Sequence, residues 1–151
     1  MMAFLTITET GIDQLRREIR AEARQLSDHR RFFRIMVFPV LKRLFREVFR
    51  TRGYGRWRPL AASTIAEKRR KGYSLDPLVR TQVYRASSTG LRGLRLRPNV
   101  LEITSPIIYA KYHEYGTRHI PKRAVFELVA EKIRPELPRL YRQWRRRQTT
   151  R

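Results

Sequence analysis

Between Phe32 and Phe45 the sequence reads FFRIMVFPVLKRLF, and this stretch constrains the fold more than any other. Phe33, Met36, Val37, Val40, Leu41, Leu44, Phe45 and Val48 recur at three- and four-residue steps, which predicts a helix with a broad apolar stripe. Pro39 lies inside the stripe, and a proline there removes a hydrogen bond and crowds the carbonyl four residues back. The helix is therefore expected to kink or split at Pro39. Upstream, Ile12, Leu15, Ile19 and Leu26 predict an earlier amphipathic helix from Gly11, with Ser27-Asp28 as the cap between the two. Two helices that bury a shared face follow.

Charge bounds the surroundings. Thirty-five Lys plus Arg against thirteen Asp plus Glu give a net charge of +22. Such an excess points to nucleic acid, an acidic protein partner or anionic lipid. Only six of the thirty-five are lysines, and an arginine-heavy composition also follows from genome base composition. With 41% hydrophobic residues in 151, the chain is expected to form one domain over residues 1–151 with a modest core. No apolar run approaches the roughly 20 residues of a membrane span, so no membrane partner is expected. The start MMAFLTITETG has neither the basic nor the apolar region of a secretory signal, and the chain contains no cysteine. Both features fit assembly in a reducing cytoplasm.

Beyond the helical stripe, Gly53, Gly55 and Pro59 predict a loop, and Ser63 or Thr64 is read as the cap of a short basic helix ending near Lys71. A second loop then leads into a short helix or strand over Val79 to Ala86. In LRGLRLRPNVLEITS, Leu94 and Leu96 alternate with Arg95 and Arg97, and Val100, Leu101 and Ile103 flank Glu102. This predicts a hairpin turned by RPN, one face apolar and the other basic. A lone two-stranded ribbon is marginal, so a third strand or a helix must cover the apolar face. Helices are expected near Ala124 to Ile133 and Leu137 to Trp144, with residues 145–151 frayed and basic. The fold class is α+β: N-terminal helices on a small antiparallel sheet of three to four strands, with a C-terminal helix.

The most chemical-looking stretch is YAKYHEYGTRHIPKRAVFEL, Tyr109 to Leu128, which holds two of the three histidines. A zincin helix needs two histidines four residues apart on one face. Here His113 and His119 are six apart with Gly116 between them, and there is no third ligand. Glu114 alone is no general-base signature. Phosphate loops, nucleophile elbows and paired carboxylates are also missing from the sequence. The expectation is a protein that is not an enzyme, with no metal, no cofactor and no catalytic residues. His113 then serves structural hydrogen bonding or interface packing. Trp57 and Trp144, set among arginines, are read as core anchors in preference to bases-stacking platforms.

The order of motifs resembles the phage virion morphogenesis, or tail completion, family. That family shows W-x-P-L then T-x-x-x-K, matched here by Trp57, Pro59, Leu60, Thr64 and Lys68. Its P-L-x-x-T-G-x-L-x-x-S segment is matched by Pro77, Leu78, Thr81 and Ser87, with Gln82 in place of the glycine and Tyr84 in place of the leucine. Its Y-A-x-x-H-x-x-G and I-P-x-R segment is matched by Tyr109, Ala110, His113, Gly116, Ile120, Pro121, Arg123 and Phe126. The resemblance implies a structural virion protein at the head–tail junction, a tail-completion, neck or connector subunit assembled in the host cytoplasm. Several copies would form a ring that contacts portal-side connector and tail proteins and surrounds the DNA channel. Under it, Gly116 makes a positive-φ turn and the GTRHIPKR loop is a subunit contact, with Arg118 and Arg123 facing acidic groups of a neighbour. Arg92, Arg95, Arg97, Arg118 and Lys122 are the candidate interface or DNA-facing residues. The alternative reading is a basic nucleic-acid-binding module outside any virion.

Overall fold

The computed structural model describes residues 28–79 and 82–149, together with 17, 19–21 and 24. Ile12, Leu15, Leu26, Ser27 and Thr81 lie outside the described residues; Ile19 is helical and exposed. The architecture mixes helices with one small sheet. In chain order it comprises α1 (Arg30–Phe32), a π-helix (Phe33–Val37), α2 (Phe38–Arg50), α3 (Ala62–Arg70), α4 (Val83–Thr89), β1 (Leu94–Leu96), β2 (Leu101–Ile103), α5 (Ala110–Tyr115), α6 (Phe126–Ile133) and α7 (Leu137–Thr149). Among the described residues no helix is long and apolar enough to cross a membrane.

The stripe is helical throughout, but Pro39 acts differently from the expected kink or split. One turn upstream widens into the π-helix, where the Phe38 N–H donates to the Phe33 carbonyl five residues back. Pro39 then falls in the first turn of α2, where its missing N–H costs nothing, and the wider turn relieves the crowding its ring would cause. The inner face buries Phe32, Met36, Val37, Leu41, Leu44, Phe45, Val48 and Phe49. Each such side chain contributes roughly 1.5–3 kcal/mol when fully removed from water. The stripe packs on α6 and α4, while α7 lies against the π-helix. The N-cap position of α1 is His29, with no side-chain cap; Asp28, one residue before it, accepts the Arg30 N–H.

The sheet departs from the expected three to four strands. Among the described residues it is a two-stranded antiparallel hairpin pairing Leu94 with Ile103, Arg95 with Glu102 and Leu96 with Leu101. Helices take the place of further strands: Leu94, Leu101 and Ile103 pack against the helical core, and the Val79–Ala86 candidate is helical only from Val83, where α4 begins. The RPN turn is closed by the Arg97 N–H to the Val100 carbonyl (2.9 Å) and is held to the start of α1, where the His29 N–H donates to the Pro98 carbonyl (2.6 Å).

Two helix ends also differ from expectation. α3 begins at Ala62 behind Ala61, so Ser63 and Thr64 sit inside its first turn and cap nothing. Residues 145–149, expected to fray, continue α7 as helix.

Candidate functional site

The Tyr109–Phe126 segment closes on itself. α5 buries Ala110, and its end is turned by Gly116 at φ 77° and ψ 168°, backbone that essentially only glycine adopts. A Cβ there would lie 3.0 Å from the Lys122 nitrogen. The loop folds back so that the Arg123 N–H donates to the His113 carbonyl (2.7 Å) and the Thr117 N–H to the Ile120 carbonyl (2.8 Å). Ile120 and Pro121, both half-buried, carry the chain back towards α6 as expected.

Glu114 is the residue that local reading missed. Its carboxylate accepts three backbone N–H groups at the start of α6, those of Val125 (2.8 Å), Phe126 (3.2 Å) and Glu127 (2.7 Å). Val125 itself supplies no side-chain cap. A helix N-terminus carries unsatisfied donors and partial positive charge, and here a carboxylate from another helix meets both. One signal was available: KRAV precedes α6 with no Ser, Thr, Asp or Asn to cap it.

Arg123 is spent inside the molecule, which corrects its placement opposite a neighbouring subunit. The side chain is buried, and its guanidinium donates to the Arg58 carbonyl (3.0 Å) and the Pro59 carbonyl (3.3 Å). Burial, and then the charge of Arg58, push its pKa down. Next to it the Trp57 indole N–H donates to the Ala124 carbonyl (2.9 Å), and the ring packs edge-on against Phe49. The first and third motif segments are therefore latched by three side-chain-to-backbone bonds across more than sixty residues. Pro59 is exposed apart from that carbonyl, Leu60 and Thr64 are half-buried, and Lys68 is a buried brace whose ammonium donates to the Ser74 (2.9 Å) and Asp76 (2.8 Å) carbonyls.

The second segment joins at Tyr84, 2% exposed, which meets Phe49 and Tyr109 edge-on and lies stacked with His113 at 6.3 Å. Gln82, standing where the resembled pattern has glycine, adopts φ 60°. The left-handed turn is thus kept without the glycine that would make it free of strain. Tyr84 Oη, Ser87 Oγ, Ser88 Oγ and His113 Nδ1 are buried with no hydrogen-bond partner among the described residues. Burial raises the Tyr84 phenol well above its usual range; burial, then the charge of Arg123, lower the His113 pKa. The structural hydrogen bond expected of His113 comes from its carbonyl, and its ring serves packing.

Arg92, Arg95 and Arg97 are exposed on the hairpin and its approach, and Arg118 is exposed on the returning loop; among the described residues none forms an ion pair, although Glu102 stands opposite Arg95 in the hairpin. Lys122 is exposed and pairs with Glu127, whose hydrogen bond raises the lysine pKa. Among the described residues no hydrogen bond or ion pair links the hairpin set to the loop set. His119 is exposed on the loop, and among the described residues no three His, Asp or Glu side chains gather as a metal site. What the geometry does well is hold backbone to backbone: its polar side chains fix the relative placement of α5, α6 and the Trp57 loop. Comparison of the chain with protein-family models, with curated proteins and with solved structures gives no match.

Proposed function

We propose that the chain is a structural subunit of a phage neck, one of several copies in a ring that completes the tail or joins it to the portal-side connector, and that it catalyses no reaction. The observation that carries this reading is the latch. Three motif segments scattered from Trp57 to Phe126 meet in one unit, and Trp57, Lys68, Glu114 and Arg123 are consumed there in bonds to backbone. Side chains so occupied shape a surface and are not free for chemistry.

The surface they shape is basic. Arg92, Arg95 and Arg97 on the hairpin, with Arg118 on the loop, are free to meet acidic neighbours. A ring uses one heterologous interface repeated about its axis, so modest contacts add up. A subunit carrying +22 repels its own copies until acidic groups or DNA compensate. The subunit therefore stays monomeric or weakly associated alone and assembles on an acidic ring, steered by a field that salt screens.

Sedimentation and particle binding test this together. Alone at low salt the protein sediments as a monomer; mixed with particles from a phage lacking the chain it binds at the neck, and the association rate falls steeply from 50 to 200 mM salt. A stable ring formed alone at low salt overturns the assembly order. Failure to bind those particles overturns the neck reading.

A further inference from the structure

Arginines of α7 point away from the latch, and among the described residues Arg142, Arg145 and Arg147 meet no acid. α7 turns Leu137, Leu140, Tyr141 and Trp144 inward, with Tyr141 edge-on to Phe32 at 5.3 Å and Trp144 at 6.4 Å from the same ring. Its apolar contacts end at Trp144, yet the helix runs on through Arg145, Arg146 and Arg147. Two contacts merge this end with the start of the helical stripe: the Arg31 guanidinium lies 5.8 Å over the Trp144 ring, and Arg147 reaches to 3.7 Å from the Met36 sulfur. Arg31, Arg34, Arg142, Arg145 and Arg147 are all exposed around this joint of the two helices.

The nearby carboxylates are already taken. Asp28 pairs with Arg30, and Glu136 pairs with Arg43 and Arg139. Among the described residues Arg31, Arg34, Arg142, Arg145 and Arg147 have no carboxylate partner, and α7 contains no acidic residue. Five guanidiniums around one helix joint, with no carboxylate partner among the described residues, raise the local positive potential, which a bound polyanion neutralises.

We propose that this face binds the phosphate backbone of duplex nucleic acid without reading its sequence. The choice between DNA and an acidic protein turns on what else the face offers. Protein interfaces are anchored by buried aromatic and apolar side chains. Among the described residues α7 exposes none, and Ile35 stands near its margin; the exposed Ile108, Tyr109, Tyr112 and Tyr115 belong to α5 and its approach. A phosphate surface needs charge and donors alone, and here every cation is an arginine, the side chain whose planar fork fits phosphate oxygens. Where the duplex comes from, DNA passing through the ring, rests on the neck reading; the binding itself does not.

Fluorescence anisotropy with a labelled 20-base-pair duplex of random sequence, titrated between 50 and 200 mM NaCl, tests the assignment. Five neutralised phosphates give a log–log salt slope near −4.5, about a 500-fold loss of affinity over that range. R142Q/R145Q/R147Q makes the slope shallower by about 2.7, whereas the equally charged hairpin variant R92Q/R95Q/R97Q changes it by less than about 1. Should loss of the Met36 contact unfold the first variant, R142Q/R145Q still makes the slope shallower by about 1.8. Equal changes from the α7 and hairpin variants overturn the proposal, because net charge alone then explains binding. Tighter binding of polyglutamate than of the duplex at equal salt also overturns it, in favour of an acidic protein partner. Neither outcome touches the binding of the protein to neck-deficient particles, so the two readings fail separately.

Discussion

Replacing Glu114 with alanine lowers the unfolding free energy by about 3 kcal/mol. The expectation follows from three N–H groups that lose one shared acceptor, those of Val125, Phe126 and Glu127. Val125 is fully buried, so its N–H has no ready access to water and keeps most of its desolvation cost. Ordinary N-cap losses run about 0.5–2 kcal/mol for one acceptor, and hydrogen bonds to a charged group about 1.5–3. The contributions overlap, since one side chain makes all three, and a sum of three full bonds overstates the effect. Glu114→Gln keeps one acceptor oxygen without the charge that favours a helix N-terminus, and loses about half as much. Urea titration reads both: the midpoint falls while the slope with denaturant stays constant. A loss under about 0.5 kcal/mol for the alanine variant contradicts the capping role.

Gly53→Ala destabilises more than its size suggests. Gly53 has φ 67°, and a Cβ built there lies 2.3 Å from both Cδ1 and Nε1 of Trp57. The left-handed backbone alone costs a side-chain-bearing residue roughly 1–2 kcal/mol. The clash adds the displacement of a buried indole, for which the scale is the 3–5 kcal/mol lost on truncating such a residue to alanine. A total near 4 kcal/mol is expected, with Trp57 losing its bond to the Ala124 carbonyl. Gly55→Ala separates the two causes, because Gly55 has φ 78° but nothing within 4 Å of a Cβ. It loses only the backbone part, about 1–2 kcal/mol. In a Trp144→Phe background Trp57 is the single tryptophan, so its emission shifts to the red in the Gly53 variant and stays put in the Gly55 variant. Unshifted emission and equal stability losses in the two variants contradict the packing argument.

These two residues show where the sequence is legible and where it is not. The stripe from Phe33 to Val48 was readable because burial leaves a period, and the hairpin because alternation and the RPN turn do too. Gly116 was readable because a positive-φ turn favours glycine strongly enough to be inferred from residue type. Glu114 and Arg123 obey no such rule. Each is a charged side chain, which local pattern assigns to solvent, and each spends its charge on backbone groups distant in sequence: Arg123 bonds to Arg58 and Pro59, Glu114 to the start of α6. Gln82 hides for a related reason, holding a left-handed turn that its residue type does not advertise. Among the described residues the sheet has two strands where alternation predicts three to four, because the apolar face of a short hairpin is satisfied equally by a helix, and α-helical packing takes that role. The π-helix answers Pro39 by a small change of hydrogen-bond register that leaves the apolar stripe intact.

The joining of heads to tails in vitro puts the neck assignment to its sharpest trial. DNA-filled heads and finished tails from a phage lacking this chain are expected to stay apart, and the purified wild-type protein to restore infectious particles. Heads and tails that join at normal yield without the protein would contradict it.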